Sequence, residues 1–78
     1  MNKERRKAAQ EIMDQLEALS EQLETLKEEE ETCRDNIPEN LSGSETYERS
    51  DEAIAQMEDA LGAIMEAAEY LEVVCMQN

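Results

Sequence analysis

The residues best equipped for chemistry are two thiols, Cys33 and Cys75, and 21 carboxylates. A reactive thiol or a metal centre commonly relies on an imidazole nearby, and the sequence contains no histidine. Di-iron sites built from Glu-x-x-His pairs inside helix bundles are therefore impossible. The acidic stretch at residues 35–46 has the length of a calcium loop, but its third position is Ile37 and its sixth, where the turn calls for glycine, is Asn40. Two glycines supply no phosphate-cradling loop. On residue type the chain reads as non-enzymatic, with no catalytic set, no cofactor and no metal.

The carboxylates instead set the electrostatic character. Seven basic residues against 21 acidic ones give a formal net charge of −14. Four of the basic residues, Lys3, Arg5, Arg6 and Lys7, lie in the first seven positions. The remaining body repels nucleic acid and anionic membrane and is drawn to basic protein surfaces. No apolar run is long enough to span a bilayer, and no apolar segment follows the basic start as a secretory signal requires. With only two cysteines and no visible secretory signal, the expected setting is a reducing cytoplasm.

The elements that carry these groups are legible from spacing. Glu, Ala, Leu, Gln, Lys and Arg dominate, and all are strong helix formers. From Ala9 the positions Ile12, Leu16, Leu19, Leu23, Leu26, Glu30, Cys33 and Ile37 recur at alternating steps of three and four, a heptad seam broken by one carboxylate. The stem of Glu30 is expected along that seam with its carboxylate reaching water or Arg34; the other reading is a polar residue that specifies register. This first helix is predicted at about residues 3–36, ended by Pro38, which disfavours helix at the residue before it.

Residues 37–43 form the loop, in which Ile37 and Leu41 are expected to plug the open end. Ser42 with Glu45 fits a capping box and Ser44 offers a competing cap, so a second helix is predicted at about residues 44–76. Its seam is Tyr47, Ser50, Ile54, Met57, Leu61, Ile64, Ala68, Leu71 and Cys75. Gly62 in its middle costs roughly 1 kcal/mol relative to alanine, which a close neighbour would justify.

A connection this short makes the helices antiparallel, and aligning the seams pairs residues whose numbers sum to about 84. In that register Cys33 faces Ser50 and Cys75 faces Ala9, roughly 37 Å apart, so no disulfide joins them. The same register sets the basic tip beside Glu66, Glu69 and Glu72. The fold class is all-α: an antiparallel coiled-coil hairpin of residues 1–78, dimerising into a four-helix bundle.

Two groups of residues call for a partner. Ala53, Ala60, Ala67 and Val74 form a second row of small residues beside the helix 2 seam; it needs something to pack against, and small side chains permit the close approach of a second copy. At the terminal end Met13 meets Tyr70, Val73 and Met76, an apolar patch suited to a partner protein.

The loop motif Asp35-Asn36-Ile37-Pro38-Glu39-Asn40-Leu41-Ser42-Gly43-Ser44-Glu45, followed by Tyr47-Glu48 and preceded by a Glu-rich helix opened by Arg5-Arg6-Lys7, resembles short uncharacterised acidic helical-hairpin proteins of Firmicutes phages and mobile elements. The resemblance implies a phage or mobile-element setting and carries no activity. The expected function is a self-associating, protein-binding accessory module. An alternative is an anti-defence inhibitor whose acidic faces mimic DNA and occupy the basic nucleic-acid groove of a host nuclease such as a CRISPR effector.

Overall fold

Two long helices account for almost the whole chain: α1, Lys3–Asp35, and α2, Glu45–Cys75. The computed structural model describes every residue except Glu39, Leu41, Ser42 and Asn78. Each helix begins at a side-chain cap. The Arg5 backbone N–H donates to Asn2 Oδ1 at 2.8 Å, and the Tyr47 N–H donates to Ser44 Oγ at 3.2 Å, which satisfies a backbone donor that has no partner within the helix. Ser44 is thus the cap in use. The alternative at Ser42 and the proposed plug at Leu41 fall outside the described residues, while Ile37 is half-buried at the loop end. The first helix closes with the Asn36 and Ile37 N–H groups donating to the carbonyls of Thr32 and Arg34, immediately before Pro38.

The helices pack antiparallel into a rod with principal extents of 60 × 14 × 12 Å. Side-chain contacts between them fix the register. Ser50 reaches Glu30, Arg34 reaches Asp51, Lys27 approaches Glu58, and Arg6 reaches Gln77. The residue numbers of these pairs sum to between 80 and 85, close to the value of about 84 expected from the seams.

α2 buries the positions its periodicity marks. Ser50, Ile54 and Leu61 are buried, and Tyr47, Met57, Ile64, Ala68, Leu71 and Cys75 are half-buried. α1 departs from expectation at every second position. Ala9 is buried and Leu16, Leu23 and Ile37 are half-buried, but Ile12, Leu19 and Leu26 are 51%, 51% and 53% exposed and Cys33 is exposed. Their places in the seam are taken by the next residues along, Met13, Ser20, Lys27 and Arg34, all half-buried. The helix is therefore turned by roughly 50° from the expected facing, half of one residue step.

The physical reason lies in Lys27 and Arg34. Their long stems cover apolar surface while their charged ends reach carboxylates on α2. Lys27 Nζ lies 3.4 Å from Glu24, 3.6 Å from Glu31 and 4.0 Å from Glu58, and Arg34 Nη1 donates to Asp51 at 2.7 Å. A Leu26/Cys33 facing would offer α2 more hydrophobic contact but would leave both cations turned away from the acidic helix beside them.

The resulting core is thin. Among the described residues its buried apolar members are Ile54, Ala9 and Leu61, between 5% and 9% exposed, and no large side chain is completely enclosed. Gly62 has open space around it, with nothing within 4 Å of where a Cβ would stand. The expected close neighbour is absent within the hairpin.

Candidate protein interface

The turn of α1 creates two unlike long faces. In heptad terms the seam of each helix is flanked by one row just before and one just after, and in an antiparallel pair like rows lie on the same side. On one side stand Ile12, Leu19, Leu26 and Cys33 of α1 with Ala53, Ala60, Ala67 and Val74 of α2. Structure thus brings the small-residue row of α2 together with a row of large apolar residues that sequence reasoning placed in the core. Ala60 is exposed, and Ala53, Ala67 and Val74 are half-buried beside the seam. A groove of about 430 Å³ opens on the α1 part of this face, lined by Leu19, Gln22, Leu23, Thr25, Leu26 and Glu29.

On the opposite side the flanking rows are Gln10, Glu17, Glu24 and Glu31 with Asp51, Glu58, Met65 and Glu72. Here the inter-helix ion pairs of Lys27 and Arg34 sit. Partial burial opposes the charge on Lys27, but the carboxylates of Glu24, Glu31 and Glu58 outweigh it and raise its pKa above 10.5. The hydrogen bond from Arg34 to Asp51, with a second to Asp35, likewise holds the guanidinium firmly charged. A smaller hollow of about 190 Å³ also opens on this side, between Leu16 and Ser20 on one helix and Ile64, Met65 and Ala68 on the other.

Within the seam the single carboxylate is satisfied. Ser50 Oγ donates to Glu30 Oε1 at 2.7 Å, and Ser50 is buried. Arg34, the expected local partner of Glu30, is engaged instead with Asp51 and Asp35. Glu30 of α1 and Ser50 of α2, both polar residues at positions the sequence marks as seam, find each other.

The terminal end is organised differently from the expectation. Met13 is drawn into the seam and leaves the patch. Tyr70, Val73 and Met76 are all more than half exposed, but at 100° per residue they do not share one direction. Tyr70, whose hydroxyl donates to Glu66 at 3.3 Å, turns toward the Ala67 and Val74 side, Met76 turns with exposed Met65 toward the acidic side, and Val73 lies between them on the back of α2. Among the described residues no ion pair joins Lys3, Arg5, Arg6 or Lys7 to Glu66, Glu69 or Glu72. Arg6 instead donates to the backbone carbonyl of Gln77 at 2.8 Å. α2 has no basic residue in its last turn, so this guanidinium supplies the positive charge that a helix C-terminus favours. Cys75, half-buried nearby, points its thiol at the Arg6 carbonyl, 3.9 Å away.

The outward row of α1 was the feature sequence reasoning missed. The available signal was a second run, Met13, Ser20, Lys27 and Arg34, which interleaved with Leu16, Leu23, Glu30 and Ile37 also gives alternating steps of three and four, and in which the stems of Lys27 and Arg34 suit a seam even though their ends are charged. No helix of the described residues is long and apolar enough to cross a membrane. Comparison of the chain with protein-family models, with curated proteins and with solved structures gives no match.

Proposed function

We propose that this protein is a non-enzymatic interaction module: a helical hairpin that self-associates and, as a dimer, docks on other proteins, in the accessory repertoire of a phage or mobile element. The observation that carries the reading is the mismatch between core and surface. Among the described residues three apolar ones are buried, while Met1, Ile12, Leu19, Leu26, Met65, Tyr70, Val73 and Met76 are about half or more exposed. A chain of this size gains little from its own core, and units of this kind commonly complete it by association. The small-residue row Ala53, Ala60, Ala67 and Val74 is the expected place of close approach.

Sedimentation equilibrium tests the reading directly: a dimer is expected at micromolar concentration, and a monomer throughout the accessible range would sink it. The docking half is tested by capture from host lysate with wild-type protein and with Val73→Glu plus Met76→Glu. Capture that is indifferent to both charges removes those residues from the docking surface.

The side of the hairpin bearing Glu17, Glu24, Glu31, Asp51 and Glu58 supports a second reading, a decoy for the basic nucleic-acid groove of a defence nuclease. Salt separates the two. Decoy binding falls steeply with ionic strength, whereas apolar docking hardly changes.

A further inference from the structure

The self-association proposed above can be given a specific face and a specific arrangement. Four parallel rows make up the apolar side of the hairpin. The inner two are Ile12, Leu19, Leu26, Cys33 and Ala53, Ala60, Ala67, Val74. The outer two, one heptad place further round, are Ala8, Gln15, Gln22, Glu29 on α1 and Arg49, Gln56, Ala63, Tyr70 on α2. Of the 21 carboxylates in the chain, Glu29 alone stands in these rows. The cation among them, Arg49, is paired along its own helix with Glu45. Two copies that each carry a net charge of −14 repel wherever their acidic sides meet, and this is the one long side on which they approach without opposing carboxylates.

Its extent also fits. A side of 60 × 14 Å offers about the ~800 Å² per partner that a stable protein–protein interface covers. The residues along it have the apolar centre and polar border that such interfaces show, with Glu29 and Arg49 the charged members of that border.

We infer that a second copy of this chain packs face to face on these rows with its loop at the same end, so that α1 of each copy lies against α2 of the other. Size complementarity selects this arrangement over the reverse one. With loops together, the large row Ile12, Leu19, Leu26 meets the small row Ala53, Ala60, Ala67 of the partner copy at both contacts, and large side chains fill the space that small ones leave. With loops at opposite ends, leucine would face leucine on one side and alanine face alanine on the other. The bundle would then be wide at one contact and narrow at the other. Every neighbouring pair of helices is antiparallel in either arrangement, but only in the shared-end one do the two Cys33 side chains stand at one level near the two-fold axis.

The inference rests on self-association, and three measurements separate its parts. Sedimentation of the Cys75→Ser protein, which retains Cys33 as its one thiol, establishes the dimer; a monomer removes the underlying reading along with this one. Treatment of that dimer with a short bismaleimide is expected to give a covalent dimer through Cys33. In the reverse arrangement the two thiols lie roughly 32 Å apart, 21 residues along a helix, and do not link. A dimer in sedimentation that fails to cross-link therefore overturns the shared-end arrangement while leaving self-association standing. Leu19→Glu with Leu26→Glu tests the face itself and is expected to weaken the dimer about a hundredfold. Gln22→Glu with Gln56→Glu, which disturbs no seam residue, keeps the test independent of folding; it should weaken the dimer roughly tenfold at low salt and recover as salt is added. A dimer indifferent to the Gln22 and Gln56 charges overturns the choice of face.

Discussion

α1 and α2 solve the same problem in opposite ways. α2 turns its most regular apolar row inward and keeps a row of alanines beside it. α1 turns a row of serine, lysine, arginine and methionine inward and leaves isoleucine and leucine outside. Hydrophobicity alone would rotate α1 the other way. The difference shows that the facing of a helix in a thin pair is decided by the sum of what both sides of it can reach. Lys27 and Arg34 gain carboxylate partners on α2 by entering the seam, and the leucines they displace remain available for a second protein surface.

The largest expected effects test this asymmetry. Ile54→Ala and Leu61→Ala remove buried side chains from α2, and each should destabilise the hairpin by about 2–3 kcal/mol, the low end for core truncations because the site is shallow. Leu19→Ala and Leu26→Ala truncate residues of similar size on α1 that are half exposed, and each should change the stability of the isolated hairpin by less than ~0.5 kcal/mol. Urea unfolding at low and high protein concentration distinguishes them. The α1 substitutions should matter at the concentration where the dimer forms and little below it. Equal losses in both helices at low concentration would restore Leu19 and Leu26 to the core and break the comparison.

Much of this architecture was readable from sequence. Helix positions, the loop at Pro38, the antiparallel register and the seam of α2 follow from alternating steps of three and four, because backbone geometry and burial act on those residues in the same direction. The facing of α1 was not readable, because two rows one residue apart both have seam spacing and the choice between them rests on partners from α2. The same applies to Glu30. Its partner in the fold is Ser50, 20 positions away, whereas the local candidate Arg34 is committed to Asp51. The basic tip shows the limit in another form, since Arg6 binds a backbone carbonyl of α2 rather than a carboxylate. Residue types announce side-chain charges, but they do not announce which carbonyls a helix end leaves free.

The Glu30–Ser50 pair gives an effect of intermediate size and bears on register. Ser50→Ala leaves a carboxylate in the seam without its donor and should cost about 1–2 kcal/mol. Glu30→Leu combined with Ser50→Ala replaces both polar groups by apolar ones and should recover that loss or exceed it. Unfolding midpoints of the two singles and the double form a cycle; additive losses would mean the hydrogen bond does not couple the helices. Gly62→Ala comes next. The space around Gly62 is open, so alanine should stabilise α2 by roughly 1 kcal/mol. Gly62 lies on the acidic side of α2, away from the proposed dimer rows, and dimer affinity should not fall. A weaker dimer would place the partner on that side instead.

The smallest effect concerns the two cations that set the facing of α1, and pH separates them. The pKa of Lys27 is raised in the fold, so its contribution to stability is complete below the unfolded value of 10.5 and disappears as pH climbs through the folded value. Lys27→Met keeps most of the stem and removes the charge. The stability difference between wild type and Lys27→Met should therefore be constant near neutral pH and shrink once the solution becomes strongly alkaline. Arg34 does not lose its proton in that range, so the corresponding difference for Arg34→Met should stay level. If the Lys27 difference is as flat as that of Arg34, the ammonium contributes nothing by charge, and its stem alone accounts for its place in the seam.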